Sequence, residues 1–115
     1  MTTKDLTRGD IVVVADRAAE GGGKPRPAII LQRSEALAEL ATVTVVFLTS
    51  TAREAPALRI PVPATPVTGL RVPSWAMIER LATVRKARIG RRIGQTDNVT
   101  LTYIGRALAV FLGLA

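Results

Sequence analysis

Residues 42–49 read TVTVVFLT, an uncharged run dense in β-branched side chains, which fit a pleated sheet better than a helix. This is the clearest strand of the chain. Upstream, RSEALAELA (33–41) is expected to hold one or two helical turns with Ser34 as N-cap. Before it, PAIILQ (27–32) reads as a second strand, with Pro27 tolerable only at its first position. If the two strands pair antiparallel across the connection, Gln32 faces about Val43, and counting back sets Arg26 opposite about Thr49.

Outward from this pair, DIVVVA (10–15) reads as a buried strand introduced by an Arg8-Gly9 turn, and DRAAEGGGKPR (16–26) as a loop loosened by its glycines. ALRIPVPA (57–64) carries prolines at alternate positions and can only be an edge strand. SWAMIERLATV (74–84) reads as a bent strand and RIGRRIGQ (88–95) as a short one bounded by glycines. The chain then turns helical: Asp97 is placed to cap, Leu101, Ile104, Leu108, Phe111 and Leu112 recur at three- and four-residue intervals, and Gly113 ends the element. The expectation is a mainly β, α+β domain over 1–115: a small antiparallel barrel with a C-terminal helix packed on it.

With 48% hydrophobic and 22% charged residues, the composition is that of a folded globular domain rather than a disordered chain. Cysteine is absent, which removes disulfides and thiolate metal sites and points to a reducing cytoplasm. IVVVA is too short and too closely flanked by charge for a signal peptide. The apolar stretch after residue 98 carries Arg106 at its middle, a cost of about 2.5–3.5 kcal/mol in a bilayer, so a packed helix is expected and no membrane partner. The net charge of +7 favours a polyanionic partner, nucleic acid or an acidic protein.

Histidine is absent, so imidazole acid–base chemistry is impossible. The acids are scattered without metal-ligand spacing, and GGGK lacks the spacing and the following hydroxyl of a phosphate-binding P-loop. RNA suits such a chain, because its 2′-hydroxyl is itself a nucleophile. The enzyme then needs groups to orient the phosphate and stabilise its developing charge. Arg26, stiffened between Pro25 and Pro27, offers a planar fork for phosphate oxygens, and the hydroxyls of Thr49–Thr51 would meet it at one end of the sheet. The same hydroxyls also read as an ordinary polar turn.

In order along the chain, RGDIVVV (8–14), a glycine loop entering KPRPAIIL (24–31), VVFLTS (45–50), ERLATVRKARIGRRIGQ (79–95) and ALAVFLGL (107–114) resemble the MazF/PemK (Kid) family across essentially the whole sequence. The resemblance implies the CcdB/MazF-like toxin fold, an SH3-like barrel working as a homodimer. It implies a type II toxin, an mRNA interferase that cleaves single-stranded RNA without metal or cofactor and is neutralised by a cognate antitoxin. It assigns catalysis to Arg26 and Thr49, with Glu79 at the position of the family's acid. The chain departs from the pattern at Met77, Arg80 and Ala82. Lys24, Ser50, Arg80 and Arg88 are the candidate RNA contacts, and the basic stretch 80–92 could equally receive an acidic antitoxin segment. Two other readings of the fold remain. A CcdB-like gyrase poison relies on a tryptophan near its C-terminus, but the only one here is Trp75. A non-catalytic nucleic-acid-binding barrel would need a stacking platform from only four aromatic residues.

Overall fold

The computed structural model describes residues 6–15 and 24–115, so the glycine-rich part of the expected 16–26 loop, up to residue 23, lies outside the described residues. The elements are β1 (Asp10–Ala15), β2 (Pro25–Ile30), α1 (Ser34–Leu37), β3 (Thr42–Thr49), β4 (Arg59–Val62), β5 (Ser74–Arg85), a 3₁₀ turn at Lys86–Arg88, β6 (Ile89–Gln95) and α2 (Asn98–Phe111). The strands form one antiparallel sheet in the order β4-β5-β3-β2-β1-β6.

β3 is uniformly apolar because both its faces are covered. Val43, Val45 and Phe47 join Val12, Val14, Ala28 and Ile30 in one core. Val46 and Leu48 join Ile11, Ile29 and Ile78 in a second, which α2 caps with Leu101 and Ile104. The pairs Ala28↔Phe47, Ile29↔Val46 and Ile30↔Val45 reproduce the register expected from sequence, and continuing it by two residues sets Arg26 across from Thr49.

The two ends of the sheet are brought together by the connection from β4 to β5. The Gln95 N–H donates to the Val67 carbonyl at 2.9 Å. Gly69, at φ +71°, lies so close to β6 that a Cβ would sit 1.9 Å from the Ile93 carbonyl oxygen, and one on Gly94 would sit 2.3 Å from that of Thr68. Only paired glycines permit this approach of backbone to backbone. Buried Thr68 holds the loop in shape: its hydroxyl donates to the Pro63 carbonyl at 2.8 Å and accepts from the Thr65 N–H at 3.0 Å. At the other side of β6, the fully buried Asp10 carboxylate accepts from the Thr7 N–H (2.8 Å) and Gln95 Nε2 (2.9 Å) and faces Arg92 at 3.5 Å, tying the first turn to β6.

Three local expectations change, in the start of β2, the cap of α1 and the extent of the α2 stripe, while the bend of β5, the Asp97 cap and the end at Gly113 are as expected. β2 begins at Pro25 rather than Pro27, because the ladder to β3 begins only at Ala28 and neither proline has to donate across it. Ser34 does not cap α1; its hydroxyl accepts from the Arg8 N–H at 3.0 Å, a tertiary partner. β5 is bent by a wide bulge: Val46 pairs with Leu81 and Leu48 with Ala76, so Met77–Arg80 oppose Phe47 alone. α2 is capped by Asp97, which accepts from the Thr100 N–H at 2.8 Å, and that bond holds its carboxyl below the usual carboxylate range. The helix closes at Gly113 with Leu114 N–H on Ala109 and Gly113 N–H on Val110. Of its expected apolar stripe only Leu101, Ile104 and Leu108 pack on the core, while Phe111 and Leu112 stay about half exposed.

Two glycine substitutions should therefore act in opposite directions. Gly69→Ala places a methyl inside β6 and should cost at least about 2 kcal/mol. Gly105→Ala, in the interior of α2 with nothing within 4 Å of a new Cβ, should gain about 1 kcal/mol. Urea unfolding of the two variants beside the parent checks both signs.

Candidate active site

β2 and β3 are ladder partners only as far as Ala28↔Phe47. Beyond that pair, a cleft of about 430 Å³ opens between Pro25–Pro27 on one side and Thr49–Thr51 on the other. Its third wall is the loop pinned to β6, which contributes Gly69–Val72, and Arg91 of β6 closes it. The two prolines lack N–H donors, so they both end the ladder and hold Arg26 in extended geometry at the opening.

Arg26 is half-buried, and its Nε is buried with no acceptor among the described residues. Thr49 Oγ accepts the Thr51 N–H at 3.1 Å, which orients the hydroxyl and leaves its proton free to donate. Lys24, Arg26, Arg71 and Arg91 line the cleft, and among the described residues no carboxylate does. A guanidinium with no counter-ion among the described residues, beside an oriented hydroxyl in a cleft lined by cations, has the chemistry to hold a phosphodiester.

Of the residues singled out from sequence, Arg26, Thr49, Lys24 and Ser50 come together here. Glu79, Arg80 and Arg88 do not line the cleft. Glu79 rides on the β5 bulge and pairs with Arg59 of β4 at 2.5 Å, and the Arg59 guanidinium holds its carboxyl below the usual carboxylate range. Arg80, also on the bulge, lies 5.5 Å from the centre of the Phe47 ring. Arg88 lines a separate hollow with Ala15 and Gly90, across β1 from Arg26. Sequence reasoning missed Arg71 as a site residue, and counted Arg91 only within a basic stretch. Their placement comes from the contact of Gly69 with β6, which leaves no local trace beyond an isolated glycine in each segment.

A second hollow, of about 900 Å³, opens where β4 and β5 meet the first turns of α2. Ile60, Pro61, Trp75, Val99 and Tyr103 form its walls, and Arg59, nine-tenths buried, lies at its edge with Nε lacking an acceptor among the described residues. Among the described residues no three His, Cys, Asp or Glu side chains converge as a metal would require, and no helix is long and apolar enough to cross a membrane.

Comparison with known proteins identifies the family and the fold. The chain is 41% identical over 110 residues to the protein of Mycolicibacterium smegmatis named "Probable endoribonuclease MazF", covering 96% of this chain and 99% of that one. Its backbone superposes on the Mycobacterium tuberculosis toxin MazF-mt6 with a TM-score of 0.78, at 29% identity over 94% of this chain and 99% of that one. A mycobacterial endoribonuclease solved in complex with its cognate antitoxin matches with a TM-score of 0.76, at 25% identity over 96% and 97% of the two chains. The profile of the PemK-like, MazF-like toxins of type II toxin-antitoxin systems spans residues 7–112, nearly everything from the first turn to the end of α2, and the chain belongs to that family.

Proposed function

We propose that the protein is an endoribonuclease toxin that cleaves single-stranded RNA in the Arg26–Thr49 cleft. The observation that carries this reading is the Arg26 guanidinium, constrained by two prolines, without an acceptor for its Nε among the described residues, and facing the register position of Thr49 in a cleft of cations. In the proposed step the 2′-oxygen attacks the adjacent phosphorus and the bond from phosphorus to the 5′-oxygen breaks. The products are a 2′,3′-cyclic phosphate and a 5′-hydroxyl. Arg26 binds the non-bridging oxygens and carries the charge that builds on them, and Thr49 donates a hydrogen bond to the same phosphate. Among the described residues the cleft is lined by neither imidazole nor carboxylate, and water takes the 2′-proton and supplies one to the leaving oxygen. No metal ion is required for these roles. We assign Glu79 to anchoring Arg59 rather than to the reacting atoms.

The same cations would receive an acidic antitoxin segment, so substrate and inhibitor compete for one surface. The homodimer is supported by the C-terminal half of α2, where Val110, Phe111, Leu112 and Leu114 are each about half exposed or more. Next to them a groove of about 380 Å³ is walled by Leu58, Ala107 and Val110. A patch of this kind on a lone domain is a surface to bury against a second copy.

Cleavage should persist in EDTA, and a 2′-deoxy nucleotide 5′ of the cut should abolish it. Arg26→Ala should lower the rate about 10²-fold or more, Arg26→Lys should not restore it, and Thr49→Ala should slow it with the fold intact. Mapping the ends of a cleaved oligonucleotide and timing its loss check all of these; strict Mg²⁺ dependence would overturn the mechanism.

The lowered pKa of Glu79 means that its ion pair with Arg59 stabilises the fold above the ordinary carboxylate pKa and is lost as pH falls through the depressed value. Glu79→Gln should therefore lower the melting temperature at neutral pH, converge with the parent as pH falls below the ordinary carboxylate range, and leave the cleavage rate within a few-fold. Melting curves across that range test the sign.

In solution the protein should sediment as a particle of about 24 kDa, twice the 12.2 kDa chain. Leu112→Glu should dissociate it without unfolding. Leu108→Glu, which reaches the core, should unfold it, and Thr102→Glu should do neither.

A further inference from the structure

We propose that Arg71 and Arg91 form a second anion seat beside Arg26 and Thr49, holding a phosphodiester adjacent to the scissile one along the RNA strand. The inference rests on the ribonuclease reading and deepens it, because it names two side chains that grip the strand away from the reacting atoms.

The first observation is a register. The connection after β4 runs antiparallel to β6, with the Val67 carbonyl accepting from the Gln95 N–H and Gly69 lying against Ile93. Continuing by two residues sets Arg71 across from Arg91, and both line the cleft. Like charges directly opposite each other on adjacent backbones are destabilising. Both side chains are exposed, and neither has an ion-pair partner among the described residues. Two guanidinium groups that face each other with no acid between them leave a place for an anion, and the planar fork of each matches phosphate oxygens.

The second observation is the local geometry of β6. Ile89 pairs with Val14 and Arg92 with Val12, so Gly90 and Arg91 together oppose Val13 alone. An extra residue of this kind re-aims side chains beside a site. Arg92 faces the buried Asp10 at 3.5 Å, whereas Arg91, one residue earlier, lines the cleft. Of two adjacent arginines, one serves the fold and the other is left for a ligand. The third observation is charge. The proposed cleavage step occupies Arg26 and Thr49 with one phosphodiester, a single negative charge, in a cleft that also carries Lys24, Arg71 and Arg91. β1 runs between β2 and β6, and neighbouring strands stand about 4.8 Å apart, so the backbone of β6 lies about 10 Å from that of β2. A neighbouring phosphate of the same strand answers both the surplus of charge and the separation.

The probe is an RNA oligonucleotide first mapped for its cut, then remade with an uncharged methylphosphonate in place of each flanking phosphodiester in turn. At one flanking position the replacement should raise KM about tenfold and leave kcat within a few-fold, since the lost contact is charge-assisted but away from the reacting atoms. Arg71→Gln and Arg91→Gln should each raise KM similarly on unmodified RNA and add nothing further on that methylphosphonate strand. Each should also lower by about one the slope of log affinity against log salt. Without RNA, each variant should melt a few degrees above the parent, and the double variant no higher than either single one, because removing one charge already relieves the pair. A role confined to the fold would lower the melting temperature and leave the methylphosphonate pattern unchanged, and that result would overturn the seat. Parental KM and salt slope in both variants, with cleavage intact, would overturn it as well and leave the ribonuclease reading standing. Equal KM on every methylphosphonate strand, with an Arg71-dependent rise in melting temperature on adding polyglutamate, would overturn the RNA seat and assign the pair to an acidic protein segment. Failure to cleave RNA of any sequence would remove the ribonuclease reading and the seat with it.

Discussion

The contact of Gly69 with the backbone of β6 is the constraint on which the rest of the molecule depends. Six strands in the order β4-β5-β3-β2-β1-β6 leave two edges, and an exposed edge is a template for unwanted pairing. Here the connection leaving one edge strand is laid onto the other, and the approach is so close that neither Gly69 nor Gly94 has room for a side chain. The same segment is a wall of the Arg26–Thr49 cleft, because Leu70, Arg71 and Val72 follow Gly69 directly. Closure of the barrel and construction of the site are thus one event.

Much of this was readable one strand at a time. A β-branched run with a short helical connection before it gives the pairing of β2 with β3 and its register, because chain connectivity leaves few alternatives over so short a distance. Arg26 and Thr49 follow from that register. The remainder depended on contacts between residues far apart in sequence. Nothing local to Arg71 marks it as a cleft residue, and nothing local to Ser34 says that its hydroxyl is taken by Arg8. The helix pattern likewise includes Phe111 and Leu112, since periodicity records which residues are apolar but not how far the core extends beneath them. The single-residue shifts between β1 and β6 are equally silent in the sequence.

The prolines around Arg26 show how a sheet can be opened without being broken. Within a central strand a proline normally forfeits a ladder bond. Pro25 and Pro27 keep their pairing with β1 and forgo only the side that faces the cleft. The result is an arginine held by one neighbouring strand and released from the other, lining one cleft with Thr49 and with no carboxylate among the described residues of that lining.

The β5 bulge has a different kind of consequence. Ala76 and Leu81 both pair with residues on the same face of β3, although they are five positions apart, so the rule for inward and outward residues reverses between the two halves of the strand. Ala76 and Ile78 pack in the core beneath α2, whereas Ala82 and Val84 pack on the opposite one. The segment between them belongs to neither pattern, and it carries the half-buried Glu79 and Arg80. Length and composition there can drift by two residues at a time without inverting either half of the sheet.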